Sequence, residues 1–235
     1  MTLSTVGTSW LAVIASALLP AATDPALLPP DQVRGFPGGL SGYAKTFQPY
    51  LATLSGCVPF PAVDAVGNLS AGLPLSGTKN EGRSSSTGQV YLRHARYRGK
   101  CAIMYAWYFP KDQSRDGDGS NGHRHDWENV VVWLSVCAST ATINAVSYSE
   151  HGRYKMDTRP PMDGTHPLVA YRQNAAGLTH SLAGTSVRGR MQPAVVWNAI
   201  PGDARAILEH HDFDKANVPF NSSNFLNNLA KAYYR

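Results

Sequence analysis

Residues 101–136 read CAIMYAWYFPKDQSRDGDGSNGHRHDWENVVVWLSV. Two runs rich in aromatic and β-branched residues, CAIMYAWYF (101–109) and NVVVWLSV (129–136), have the length and composition of buried strands. Between them lies a polar, glycine-rich loop at 111–122 that cannot pack as core. Pro110 has no amide hydrogen to give a ladder and is expected to end the first strand. Upstream, QVYLRHARY (89–97) meets CAIMYAWYF across the turn RGK, which predicts a hairpin. Downstream, a turn around Ala138–Ala141 leads into TINAVSYSE (142–150), a second hairpin partner. PLVAYR (167–172) and AVVWN (194–198) add short strands. Many short strands with turns between them predict a mostly β protein, an antiparallel β-sandwich.

Helices are expected only at the flanks. A short one falls within LSGYAKTFQPYLATLSG (40–56). A second covers NFLNNLAKAYY (224–234), capped by Ser222 or Ser223, with Phe225, Leu226, Leu229 and Tyr233 recurring on one buried face. Residues 57–88 are turn-rich and predict ordered loops with short strands.

The 235 residues suit one domain. Apolar residues make up 43% and charged residues only 16%, with abundant Gly and Pro, which points to a loop-rich exported domain. The apolar segment Trp10–Ala22 is too short to span a bilayer and is followed by small and Pro-rich residues. Residues 1–22 therefore read as a signal peptide and 23–235 as a single secreted domain. The net charge of +5 comes without a Lys/Arg run, so no nucleic-acid partner is expected. A weak, salt-dependent attraction to anionic membrane surfaces is.

Cys57, Cys101 and Cys137 allow one disulfide and leave one thiol, in a pairing the sequence does not fix. Asn68-Leu69-Ser70 and Asn221-Ser222-Ser223 match the glycosylation acceptor pattern.

The heptad GHRHDWE (122–128) places five ionisable side chains and a tryptophan against the start of a core strand. In an extended chain Asp126 and Glu128 share a face, with His125 and Trp127 on the other. Adjacent carboxylates repel unless a cation or proton lies between them. Asp112 can fold back from the preceding strand and His123 can add a nitrogen. This set suits Mg²⁺, Ca²⁺ or Mn²⁺ better than zinc. Two alternatives stand on spacing alone: a zinc site using His123 and His125, and a buried ion-pair knot with Arg124 against Asp126 or Glu128. Asp116, Asp118 and Ser120 imitate the start of an EF-hand, but the loop lacks its glycine and closing glutamate. The acidic and histidine-rich stretch Glu209–Asp214 reads as a solvent-facing helix end.

AIMYAWYFPKD with GHRHDWE resembles the necrosis- and ethylene-inducing peptide 1-like proteins, the NPP1 family. GCVPFPAVDAVGNLSAGL, SSSTGQVY, PLVAY and ANVPFNSSNFLNNLAKAYY match it at corresponding positions, so the resemblance spans most of residues 35–235. It implies a β-sandwich with flanking helices, like actinoporins and fungal lectins. It also implies a secreted toxin rather than an enzyme, monomeric in solution. That toxin binds glycosyl inositol phosphoceramide headgroups of the plant plasma membrane and makes the membrane leak. The divalent cation, Mg²⁺ or Ca²⁺, would be held by Asp112, His123, Asp126 and Glu128, with His125, Arg124 and His166 in supporting or headgroup-binding roles. The chain departs from the family in a longer 112–123 loop, and Arg83 stands where a cysteine partner for Cys57 is common. The alternatives carried forward are a non-lytic family member, acting as a binding module or a pattern plants detect, and a metal-dependent hydrolase.

Overall fold

The computed structural model describes residues 25–36, 38–81, 86–117, 119, 122–174, 177 and 179–234. The expected signal peptide lies outside these residues, as do Arg83, Asp118 and Ser120. Along the chain run β1 (Leu27–Leu28), α1 (Gly42–Thr46), β2 (Tyr50–Thr53), β3 (Leu69–Ser70), β4 (Val90–Tyr97) and β5 (Lys100–Gln113). Then follow β6 (Gly122–Leu134), β7 (Ile143–Glu150), β8 (Arg153–Asp157), β9 (Met162–Asp163), β10 (His166–Gln173), β11 (His180–Gly184) and β12 (Ala194–Val196). The described chain closes with α2 (Gly202–His210) and α3 (Phe225–Ala232).

Two sheets form the expected sandwich. The larger has the order β12-β4-β5-β6-β7-β8, and the smaller β11-β10-β2 with β9 on β10. β4 to β8 are an antiparallel meander, whereas β12 joins β4, and β2 joins β10, in parallel. The predicted hairpins are present. Arg98 and Gly99, both at positive φ, make the tight turn between β4 and β5.

β5 and β6 are buried on both faces, which explains their unbroken apolar runs. Ile103, Tyr105, Trp107, Phe109, Val130, Val132 and Leu134 face the smaller sheet, against Leu51, Val169, Tyr171 and Leu182. Met104, Tyr108, Trp127, Val131 and Trp133 point the other way, under Ala204 and Leu208 of α2 and Phe225 and Leu229 of α3. The molecule is a sandwich with a helical layer on one outer face.

Three local expectations are corrected. β5 does not stop at Pro110 but runs to Gln113. The Pro110 carbonyl points away from β6 and accepts from Leu73 N at 2.8 Å, so the missing amide hydrogen falls on that same outer edge and costs the β5–β6 ladder nothing. α3 starts after Asn224 rather than after a serine cap, because the Asn221 side chain takes the Asn224 amide at 2.9 Å. Leu226 is 57% exposed, outside the buried stripe of Phe225, Leu229 and Ala232. Cys101 and Cys137 form the disulfide, leaving Cys57 free and buried.

Candidate functional site

β6 outruns β7. β7 pairs with it only over Val130–Leu134, while β5 follows it back to Gly122. The β7 side of residues 122–129 is thus an open ledge, and a cavity of about 510 Å³ lies there. Asp112, His123, Asp126 and Glu128 all line it. The extra residues of the long loop fall beyond the Gln113–Gly122 pair, so Asp112 keeps its place opposite His123. A backbone bond from Gly117 N to Gly77 O (2.7 Å) and a bond from Lys79 N to the Asp116 side chain at Oδ1 (2.8 Å) hold that loop down.

His125 makes the site. Its φ of 61° is in the left-handed region and breaks the strand's alternation. A regular pleat would put His123 and Asp126 on opposite faces, yet both line the cavity. The His125 ring is sent to the helical side, 2.6 Å from Tyr108 Oη and edge-on to Phe213. Burial lowers its pKa to about 4, so it is neutral at physiological pH and holds the β6 kink rather than a charge. The zinc alternative fails here, because the two imidazoles diverge. Glycine is required at two neighbouring points. A Cβ on Gly122 (φ 116°) would stand 1.8 Å from the Asp112 carbonyl oxygen, and one on Gly72 (φ 67°) 2.6 Å from Arg124 Cγ.

Asp112, Asp126 and Glu128 are 2%, 6% and 6% exposed, so their charges are costly unless compensated. Each is held by a residue from a distant strand. His180 donates its backbone amide to both Asp112 oxygens (3.1 and 3.2 Å), and its Nδ1 lies 2.6 Å from Oδ1. Tyr171, stacked between Phe109 and His180, donates to Asp126 Oδ2 at 2.8 Å. Ser149 donates to Glu128. His123 Nε2 is 3.8 Å from Asp112 Oδ2. Burial first, then the neighbouring Asp112 charge, raises the Asp126 pKa well above the carboxylate range. Burial and then Asp126 do the same to Glu128.

The ion-pair knot is not formed. Arg124 is exposed and donates to Ala71 O at 3.2 Å, and among the described residues neither Asp126 nor Glu128 meets a lysine or arginine. The buried Lys111 turns away, to Glu81 (3.1 Å) and the Pro74 and Thr78 carbonyls. His166 is not in the cavity lining; it opens β10, with Nδ1 2.9 Å from Gln48 O and its ring against Tyr50. The smaller sheet's pairing of β10 with β2 places it there. Glu209 serves structure, accepting the Ser222 amide at 2.9 Å.

Among the described residues, no group of three or more His, Cys, Asp and Glu side chains is arranged as a ready-made metal site. The donor chemistry nevertheless suits a hard divalent cation. Carboxylates that meet no lysine or arginine among the described residues line one cavity with the imidazoles of His123, His151 and His180, and two of them are driven toward protonation. Their fit is one of charge and donor type rather than of preformed coordination.

Sequence reasoning missed His180, Tyr171 and Ser149. They come from β11, β10 and β7, and only the fold brings them to the heptad.

Residues 41–232 match the family described as necrosis inducing protein (NPP1). The chain is 43% identical over 200 residues to an NLP effector protein of Phytophthora capsici, covering 83% of this chain and 84% of the relative. The solved structure of NLPPya in complex with mannosamine superposes with a TM-score of 0.81 at 41% identity, covering 89% of this chain and all of that one. NLPPya has also been solved with glucosamine. A crystal structure of HaNLP3, described as non-toxic, superposes with a TM-score of 0.79 at 34% identity, over 86% and 98% of the two chains.

Proposed function

Since the chain belongs to the necrosis-inducing protein (NPP1) family, we propose that it is a secreted cytolytic effector whose cavity binds the sugar headgroup of plant sphingolipids through a divalent cation. The observation that carries this reading is the cavity with buried Asp112, Asp126 and Glu128, the last two of which form no ion pair with a lysine or arginine among the described residues. Asp112, His123, Asp126 and Glu128 would hold Mg²⁺ or Ca²⁺. Once bound, a hard cation offers exchangeable water positions to sugar hydroxyls. The remaining work belongs to the chain itself: His180, Tyr171 and Ser149 orient the carboxylates, and the His125 kink turns His123 toward them. The amino-sugar complexes of NLPPya support a saccharide as the ligand. The glycosyl inositol phosphoceramide target follows from the family resemblance.

Calcein leakage from vesicles containing plant glycosyl inositol phosphoceramides tests the reading. Wild-type protein with Mg²⁺ or Ca²⁺ should release dye, and Asp126→Ala or a chelator should abolish release. Equal leakage from vesicles lacking that lipid would overturn the headgroup assignment. The likeness to non-toxic HaNLP3 favours a second reading, a headgroup-binding but non-lytic member. Vesicle binding without leakage would select it.

A further inference from the structure

The outer edge of β4 is only partly covered. β12 pairs with it in parallel over Val90–Leu92 and then leaves. It leaves because the chain enters a 3-10 turn (Trp197–Ala199) that packs the Trp197 ring edge-on against Phe220 in the helical layer. Beyond that point β4 continues through Arg93–Tyr97 with β5 on one side alone. Val90 gives its amide to Pro193 O at 2.9 Å, so by alternation His94 and Arg96 aim their N–H and C=O groups to the same, now open, side. Among the described residues no strand or loop backbone pairs with them there.

The two faces of this open edge differ. On the helical side a cavity of about 330 Å³ lies between Ala95, Val196, Trp197, Phe225 and Leu226, with Arg93 across it. The Arg93 guanidinium sits over both rings, 5.3 Å from that of Trp197 and 4.8 Å from that of Phe225, and donates to Phe220 O at 2.9 Å. The exposure of Leu226 belongs here, because that side chain lines this cavity instead of joining the buried stripe of α3. The other face carries His94 and Arg96, both exposed. Arg98 follows at the hairpin tip, exposed and lying over the Tyr97 and Tyr233 rings. No Asp or Glu occurs between Glu81 and Asp112. Arg93, Arg96, Arg98 and Lys100 form no ion pair among the described residues.

Unpaired N–H and C=O groups along a strand edge are a template for another strand. A second copy of this chain is a poor fit, because two β4 edges brought together set Arg96 of one against like charge on the other. We infer that the Arg93–Tyr97 edge takes up an extended acidic segment of a partner protein as an added strand, one in which acidic and apolar residues alternate. The backbone of that segment pairs with His94 and Arg96. Its carboxylates lie on the face of Arg96 and Arg98, and its apolar side chains lie on the other face, where one enters the cavity beside Trp197. This surface shares no lining residue with the carboxylate-lined cavity at β6 and does not depend on the sugar-site reading.

Fluorescence polarisation with the full folded chain tests this. The probe is a labelled peptide, Glu-Val-Glu-Leu-Glu-Val-Glu, capped at both ends. Its controls are the same peptide with Lys for Glu, and two versions with alternate amides methylated, one in each register. At low salt the Glu peptide should bind at least about fivefold tighter than the Lys peptide, and salt should shrink the gap. Methylation in one register should weaken binding roughly tenfold, since backbone hydrogen bonds to His94 and Arg96 are lost. Arg96→Glu/Arg98→Glu, with a wild-type melting curve, should reverse the preference and favour the Lys peptide. Equal affinity for the Glu and Lys peptides would overturn the acidic partner. Indifference to methylation in both registers would overturn strand addition, and a preference that the double variant leaves intact would place the peptide elsewhere. No binding at about 1 mM would reduce the arginines to a means of blunting the edge and end the proposal. Dimers of the wild-type chain in sedimentation, dissolved by the Glu peptide, would replace the acidic partner with a second copy.

Discussion

At the scale of single residues, the site is built from conformational cost. A histidine at positive φ is uncommon, and strain of this kind costs on the order of 1–3 kcal/mol. Here it lets His123 and Asp126 share a cavity. Gly122 works beside it, and Gly122→Ala should cost at least about 2 kcal/mol in chemical denaturation, because the new Cβ meets the Asp112 carbonyl. A smaller loss would mean that the Asp112–His123 pairing relaxes freely. The pH dependence follows from the raised carboxyls. A group whose pKa is higher folded than unfolded stabilises fully below its unfolded value, about 4, and that stability is lost as pH rises through the folded value. Without divalent cation, wild-type protein should therefore lose stability from mildly acidic to neutral pH relative to Asp126→Asn. His125 acts with the opposite sign. Its lowered pKa gives stability present above about 6.5 and lost as pH falls toward about 4. It is common to both proteins, so it drops out of the difference between their denaturation curves, which reports Asp126 together with its push on Glu128.

At the scale of elements, the long β5–β6 pair carries both core and site. The Cys101–Cys137 bridge joins the start of β5 to the turn after β6, across 36 residues. Replacing both cysteines by serine should lower stability by roughly 3–4 kcal/mol on the loop-entropy account. Near-normal ligand binding should remain, because the bridge lies at the end of the strands away from the heptad. An unchanged denaturation midpoint would count against this. These strands were legible in the sequence because burial on both faces writes an unbroken apolar run. β8 and β9 were not, since their burial is partial and mixed with charge, as in Arg153–Asp157, nor was the five-residue β11, and of α2 only the charged end at Glu209 was read. Three of the four ligand candidates were legible because the heptad concentrates them, and Asp112 because it ends the apolar run that faces it. His180, Tyr171 and Ser149 were not, because contacts across 21 to 68 residues leave no local spacing to read. His166 was misplaced for the same reason. Its neighbourhood is set by the pairing of β10 with β2.

At the scale of the whole molecule, the sandwich matches that of HaNLP3, described as non-toxic, so the architecture by itself does not decide toxicity. Binding of a cation to the folded chain alone would show as global stabilisation. Mg²⁺ at a hundredfold its Kd should add about 2.7 kcal/mol, which for a domain of this size raises Tm by roughly 5–10 °C. Asp126→Ala should abolish that shift, and an identical shift in the variant would place the ion elsewhere.

Cys57 carries a different consequence. Its thiol is shut inside the protein, donates to the Glu81 carbonyl, and has its pKa pushed up to about 12 by burial. Such a thiol is inert toward alkylating reagents while the Glu81 segment stays closed. Since Lys111, the neighbour of Asp112, is clamped to that segment, the labelling rate of native protein becomes a clock for how often the support behind the cavity breathes.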